Sequence, residues 1–236
     1  MPEKPYLQIP IADCGEPLVA LPPKDFAFTK PHPYEDLGAP YGNKSPFYVR
    51  QGVLSRLVQA QQLLQQLYPG WRIQIFDAYR PIAVQQFMVE YTFGQLLEAK
   101  GLTETAIAPS QRQAILEEVY QFWAVPSANP KTPPPHSTGA AVDVTLVNAE
   151  DREVDMGSPI DEVSPRSFPD HFARSSDPVE QQYHAHRQLL AQVMLQAGFE
   201  RHPYEWWHFS YGDQMWVWLR QQKKPDNRAI AIYGGC

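Results

Sequence analysis

With 236 residues, 43% of them hydrophobic and 19% charged, the chain is long enough to bury a core and has a globular rather than a disordered composition. A net charge of −6 without a basic cluster excludes the electrostatic footprint of a nucleic-acid or anionic-membrane binder, so neither is expected as a partner. No apolar run approaches the roughly 18–20 residues that span a bilayer, and the start lacks the basic-then-apolar pattern of a secretory signal, so a cytoplasmic location is expected.

Residues 1–45 are rich in Pro, Gly and Asp and read as an extended arm, leaving 46–236 as the core of a single domain. The spacing of Val49, Val53, Leu54, Leu57, Val58, Leu64 and Leu67 predicts a helix over 47–68, with Arg50, Arg56, Gln59 and Gln66 on its outer face. Pro69-Gly70 stops it, and Trp71 to Phe76 alternates as a strand. A second helix covers 82–99, and a third opens at Pro109-Ser110, where Ser110 and Gln113 have capping-box spacing; its apolar residues include Ile115, Val119, Phe122 and Trp123. A proline-rich loop, 125–135, delivers the chain to His136. Ala140 to Val147 reads as a strand, and 156–177, which has no period, as a surface loop or lid. Asp177-Pro178-Val-Glu180 is a strong helix start, and that helix runs to Ala197-Gly198. Phe199 to Tyr211 is strand-like, and Ala229 to Tyr233 adds a short strand. Helices and short strands without a βαβ rhythm give an α+β fold with a small antiparallel sheet. Cys14 and Cys236 are expected as free thiols.

The chemistry concentrates in His136-Ser-Thr-Gly-Ala-Ala-Val-Asp143 and Glu205-Trp-Trp-His208. Two imidazoles and a carboxylate, with a second carboxylate alongside, match the inventory of zinc hydrolases: three protein ligands, an open position for water and a base. His136 and Asp143 are seven residues apart and would face opposite sides of an unbroken strand. Gly139 can break it, so that His136 comes from a loop and Asp143 from the strand proper. Likewise Pro203-Tyr204 puts Glu205 on a turn entering the strand of His208. Asp143 between Val142 and Val144 needs a charged partner or metal to offset its desolvation. His32, His171 and His202 sit in loops with no partner spacing, and His184 and His186 do not share a helix face. Arg80, at the end of the first strand, is either a surface cation or a fixed one that stabilises an oxyanion.

Three blocks, Phe76-Asp-Ala-Tyr-Arg80-Pro81, His136-x-x-Gly139-x-Ala141-x-Asp143 and Glu205-x-x-His208, together resemble the zinc D-alanyl-D-alanine dipeptidases, relatives of peptidoglycan D,D-carboxypeptidases. The resemblance covers roughly 70–211. It implies a hedgehog/DD-peptidase-like fold with one zinc per chain held at the sheet by His136, Asp143 and His208. It further implies Glu205 as general base, Arg80 as transition-state stabiliser and Asp161 near the amino end of a small dipeptide substrate, in cell-wall peptide turnover. A carboxypeptidase or endopeptidase acting on longer peptides is the neighbouring reading, and a non-catalytic zinc-stabilised binding protein is the one from another class. The chain departs from the family at Pro134, where a serine is usual two residues before the first histidine. A substrate-binding tyrosine in the arm is left open among Tyr34, Tyr41 and Tyr48.

Overall fold

The computed structural model describes residues 4–226 and 228–236, with the side chain of Phe122 outside the description. Its N-terminal segment is more structured than an extended arm: after a 3₁₀ turn at Pro5–Gln8 come strands β1 (Leu18–Ala20) and β2 (Ala27–Phe28) and one helical turn, α1 (Pro33–Asp36). Strand β3 (Tyr48–Arg50) then precedes helix α2 (Gln51–Leu67), so the helix expected from 47 begins only at Gln51.

Arg50 is the reason. Instead of lying on the outer face of a helix it is 4% exposed. Its Nε donates to the Thr138 carbonyl at 2.9 Å, and its Nη2 to Asp13 Oδ2 at 2.9 Å and the Gly234 carbonyl at 3.0 Å. Its backbone N–H donates to the Gly139 carbonyl at 2.9 Å. A cation buried this deeply must be paired, and the extended backbone at Arg50 (ψ 148°) is what aims it at those partners. Beyond it Val53, Leu57, Ala60 and Leu64 recur at helical spacing and bury one face of α2.

Strand β4 (Arg72–Asp77), helices α3 (Ile82–Ala99) and α4 (Pro109–Phe122), strand β5 (Ala141–Val147) and helix α5 (Pro178–Gln196) follow close to their expected positions. The cap of α4 differs: Gln111 Oε1 accepts the Ala108 N–H at 2.9 Å, and Ser110 lies inside the helix. The expected strand over 199–211 splits into β6 (Glu200–Arg201) and β7 (His208–Ser210), because Pro203 has no N–H for a ladder and the chain turns there. Helix α6 (Gln214–Lys223) comes last, and residues 229–233 make only an isolated bridge, Ile11 with Ala231.

The main sheet runs β2-β4-β5-β7-β6. It is antiparallel except for β2, which lies parallel to β4, while β1 and β3 form a separate antiparallel pair. Central β5 is buried at every position, which explains why its sequence does not alternate cleanly. Val142, Val144 and Leu146 pack with Leu57 and Leu64 of α2 and Leu190 and Met194 of α5. Each fully buried leucine of this cluster contributes about 1.5–3 kcal/mol. A second cluster joins α3 and α4 to Tyr34, Tyr41 and Trp123. No helix among the described residues is long and apolar enough to cross a membrane.

An irregularity in β4 decides what the sheet presents. Ile75 pairs with Val144, but beyond a one-residue slip Asp77, not Phe76, stands opposite Asp143. On the other side Asp143 stands opposite His208. The bulge therefore aligns Asp77, Asp143 and His208 across three adjacent strands.

Gly139 ends the 3₁₀ turn Pro135–Thr138 in the left-handed region, φ 70°, and a Cβ there would approach Leu18 Cδ2 to 2.4 Å. Gly139→Ala is expected to cost about 1–2 kcal/mol in backbone strain alone, measured by denaturant unfolding. An unchanged midpoint would show that the turn relaxes freely.

Candidate active site and metal centre

The turn that ends at Gly139 resolves the seven-residue spacing. Thr138 Oγ1 donates to the Pro135 carbonyl at 2.6 Å, and Ser137 Oγ to the Arg80 carbonyl at 2.7 Å, which fixes the turn against the end of β4. His136 then reaches the face of the sheet on which Asp143 projects. Its Nδ1 donates to the Ala78 carbonyl at 2.7 Å, so Nε2 presents a lone pair. That Nε2 lies 3.2 Å from Asp143 Oδ2 and 3.2 Å from His208 Nδ1, and His208 Nδ1 lies 3.0 Å from Asp143 Oδ1.

One potential ligand atom from each of the three residues lies within 4.8 Å of the others, all three buried. Burial favours a neutral Asp143, but the two imidazoles at its oxygens win and hold it well below the usual carboxylate range. Burial also pulls the His136 pKa down, and Asp143 more than reverses this; His208 stays low, through burial and the charge of His136. Three ligand atoms that converge in this way could hold a metal ion. Two imidazoles and one carboxylate fit a divalent ion of borderline softness better than calcium or magnesium, which prefer all-oxygen shells.

Glu205 sits at the turn before β7, with Oε2 3.7 Å from His208 Nδ1 and Oε1 3.7 Å from His202 Nδ1. Burial, and after it the charges of Asp143 and Asp161, push its pKa well above the usual carboxylate range. His202 is no bystander in a loop: it lines the same cavity, and its ring meets His208 edge-on at 5.4 Å. Burial keeps it neutral. The cavity, about 50 Å³, is lined by Arg80, His136, Asp143, Asp161, Glu205 and His208 among others, with Trp207 and Pro134 in its wall.

Arg80 is a buried cation, 4% exposed, not a surface one. Its Nε and Nη2 donate to Asp77 Oδ2 at 3.0 and 2.7 Å, its Nη1 to Gln85 Oε1 at 3.0 Å, and its Nη2 to the Tyr34 hydroxyl at 3.3 Å. Four of five N–H donors are thus committed, and one on Nη1 remains. Burial opposes its charge, but Tyr34, Asp77 and Asp143 outweigh that and raise its pKa above the ordinary arginine value.

The sequence matches the peptidase family M15, D-ala-D-ala dipeptidase, over residues 27–227. The chain belongs to this family. It is 51% identical to a D-alanyl-D-alanine dipeptidase of Synechocystis sp., covering 99% of this chain and 97% of the relative. It is 26% identical to one from Enterococcus faecalis over 61% of this chain and 64% of the relative, and 39% identical to one from Escherichia coli over 31% and 36%.

In this member of the dipeptidase family the three tyrosines left open separate. Tyr34 donates to Asp161 Oδ2 at 2.6 Å and so links Asp161 to Arg80. Tyr41 donates to Asp77 Oδ1 at 3.1 Å, behind the site, and Tyr48 pairs in β3 opposite Ala20. Asp161 has φ 65° and a pKa raised to about 6, by burial first and Asp143 next. The loop that carries it is fastened at its base. Arg187 of α5 donates to the carbonyls of Met156 at 2.7 Å and Phe168 at 2.9 Å, and the Trp206 N–H to that of Ser167 at 3.0 Å.

Several site residues escaped the sequence reading. Asp77 was visible only as part of a motif, yet it holds Arg80 and is 0% exposed. His32 lies with Nε2 3.3 Å from Asp77 Oδ1, a contact made across the sheet that no local spacing signals. Lys4 and Tyr6, from the N-terminal segment, line the cavity. Asp77→Ala leaves the Arg80 charge without its main partner, and breaking such a pair typically costs about 3–5 kcal/mol. Chemical denaturation should show that loss; less than about 1 kcal/mol would mean that Arg80 is held by its other contacts.

Proposed function

We propose that the chain is a zinc-dependent dipeptidase that hydrolyses D-alanyl-D-alanine, or a similar small dipeptide, to free amino acids. The observation that carries this reading is the convergence of His136, Asp143 and His208 with Glu205 beside them in one small cavity. His136 through Nε2, Asp143 through its carboxylate and His208 through Nδ1 would hold the ion. Bound there, zinc supplies a Lewis acid for the scissile carbonyl and lowers the pKa of a water at its open position.

The chain's own groups do the rest. Glu205, beside His208 in the same cavity, takes the proton of the attacking water and passes it to the departing amine. Arg80 offers its remaining Nη1 hydrogen to the oxygen that becomes negative as water adds. Asp161 faces the same cavity and pairs with the substrate ammonium. Trp207 and the prolines at 134 and 135 line the cavity with apolar surface. A small cavity and an anchor for a free amino end favour a dipeptide over a longer wall peptide, and a role in cell-wall peptide turnover follows from that substrate.

A panel of L- and D-dipeptides, assayed with and without chelator, tests the reading: D-alanyl-D-alanine should be cleaved and the chelator should abolish cleavage. Glu205→Ala should keep one zinc per chain while turnover falls by about a hundred- to ten-thousandfold. His208→Ala should lose both metal and activity. Near-normal turnover in Glu205→Ala would sink the mechanism. Asp161→Asn should raise KM for the free dipeptide and leave the slow hydrolysis of its N-acetyl derivative unchanged; equal losses on both would remove Asp161 from the ammonium site.

A further inference from the structure

Two cations line the cavity, and only Arg80 is largely committed to protein partners. Lys4 is half-buried in the opposite situation. Among the described residues its ammonium has no hydrogen-bond partner and no carboxylate within ion-pair distance. Burial depresses its pKa, and the charge of Glu205 acts the other way. A partly desolvated cation without a partner is unfavourable unless something else pairs with it.

Lys4 is also not on a loose end. The 3₁₀ turn that follows it is tied down: the Leu7 N–H donates to the Lys4 carbonyl at 3.0 Å, Tyr6 is buried, and Gln214 Nε2 donates to the Ile9 carbonyl at 2.6 Å. Nearby in the wall stands Pro134, which has neither a side-chain donor nor an N–H. Asp161 lies in the same cavity, and Glu205 is within electrostatic reach of both Asp161 and Lys4. One anion and one cation thus line the cavity together with the base, as a free dipeptide, charged at each end, requires.

We propose that Lys4 is the carboxylate anchor of the substrate site, its ammonium pairing with the C-terminal carboxylate of a dipeptide whose amino end is held by Asp161. This rests on the dipeptidase reading above. A lysine suits the task as a compact charge on a flexible stem that can follow a small ligand.

The test compares D-alanyl-D-alanine with its C-terminal amide, using the zinc-loaded wild type, Lys4→Met and Lys4→Arg. The wild type should prefer the free acid by about tenfold or more in kcat/KM, the usual worth of a hydrogen bond to a charged group. Lys4→Met should raise KM for the acid by a similar factor and erase most of the preference for acid over amide, and Lys4→Arg should restore most of both. Calorimetry of D-alanyl-D-alanine binding to zinc-loaded Glu205→Gln should show the same weakening when Lys4→Met is added. An unchanged KM for the acid, or equal losses on acid and amide, overturns the anchor while leaving the dipeptidase reading intact. A wild type that cleaves neither compound overturns both. Should Lys4→Met fail to fold, a wild type without preference for acid over amide still overturns the anchor.

Discussion

Two carboxylates stand directly opposite each other on neighbouring strands in a dry part of this protein. Asp77 and Asp143 are 0% and 2% exposed, and like charges so placed repel while each has lost its water. Much of the site can be understood as what offsets that arrangement. Arg80 and His32 turn to Asp77, and His136 and His208 turn to Asp143. Glu205 and Asp161 line the same cavity as Asp143. Arg80 and Lys4 line that cavity as well, and a divalent ion at the His–Asp–His cluster would add positive charge beside these carboxyl groups. Metal binding there would therefore be coupled to the stability of this region.

The geometry depends on two small departures from regular structure. A bulge in β4 brings Asp77 level with Asp143; without it Phe76 would occupy that place. The left-handed residue Gly139 ends the turn of His136 and lets β5 begin at once. Arg50 then locks this turn to distant parts of the chain, through Thr138, Asp13, Glu16 and Gly234. The turn of His136 is thus held by residues near both ends of the chain.

What could be read from the sequence follows the range of the interactions. The helix start at Asp177 was legible because its side chain caps its own next turn, accepting the Val179 N–H at 2.7 Å. The two metal-site blocks were legible because glycine and proline mark where each strand must break. Arg50 misled for the complementary reason: its partners are scattered along the chain, so local periodicity placed it on an outer face. His32, Lys4 and the pairing of Asp77 with Asp143 were hidden likewise, since each acquires its meaning from a strand or loop far away in sequence. The parallel placement of β2 is of the same kind, two residues paired with Gln74 and Ile75 across a long connection.

The two cations of the cavity show why residue type matters beyond charge. Stabilising an oxyanion requires a donor that is already in place when charge develops, because reorganising it then would cost as much as it gained. Arg80 meets that condition through its fork: Nε and Nη2 grip Asp77, and the guanidinium lies 5.0 Å from the ring centres of both Tyr34 and Trp123. It can be held at one side and still offer a hydrogen at the other. A lysine's compact, rotatable ammonium lacks the rigid fork that lets one side be clamped by Asp77 while the other stays aimed elsewhere. The carboxylate of a ground-state substrate makes no such demand, since its charge is present throughout and a mobile ammonium can find it. For an oxyanion donor and a carboxylate anchor respectively, a rigid arginine and a flexible lysine are the side chains that these different requirements favour.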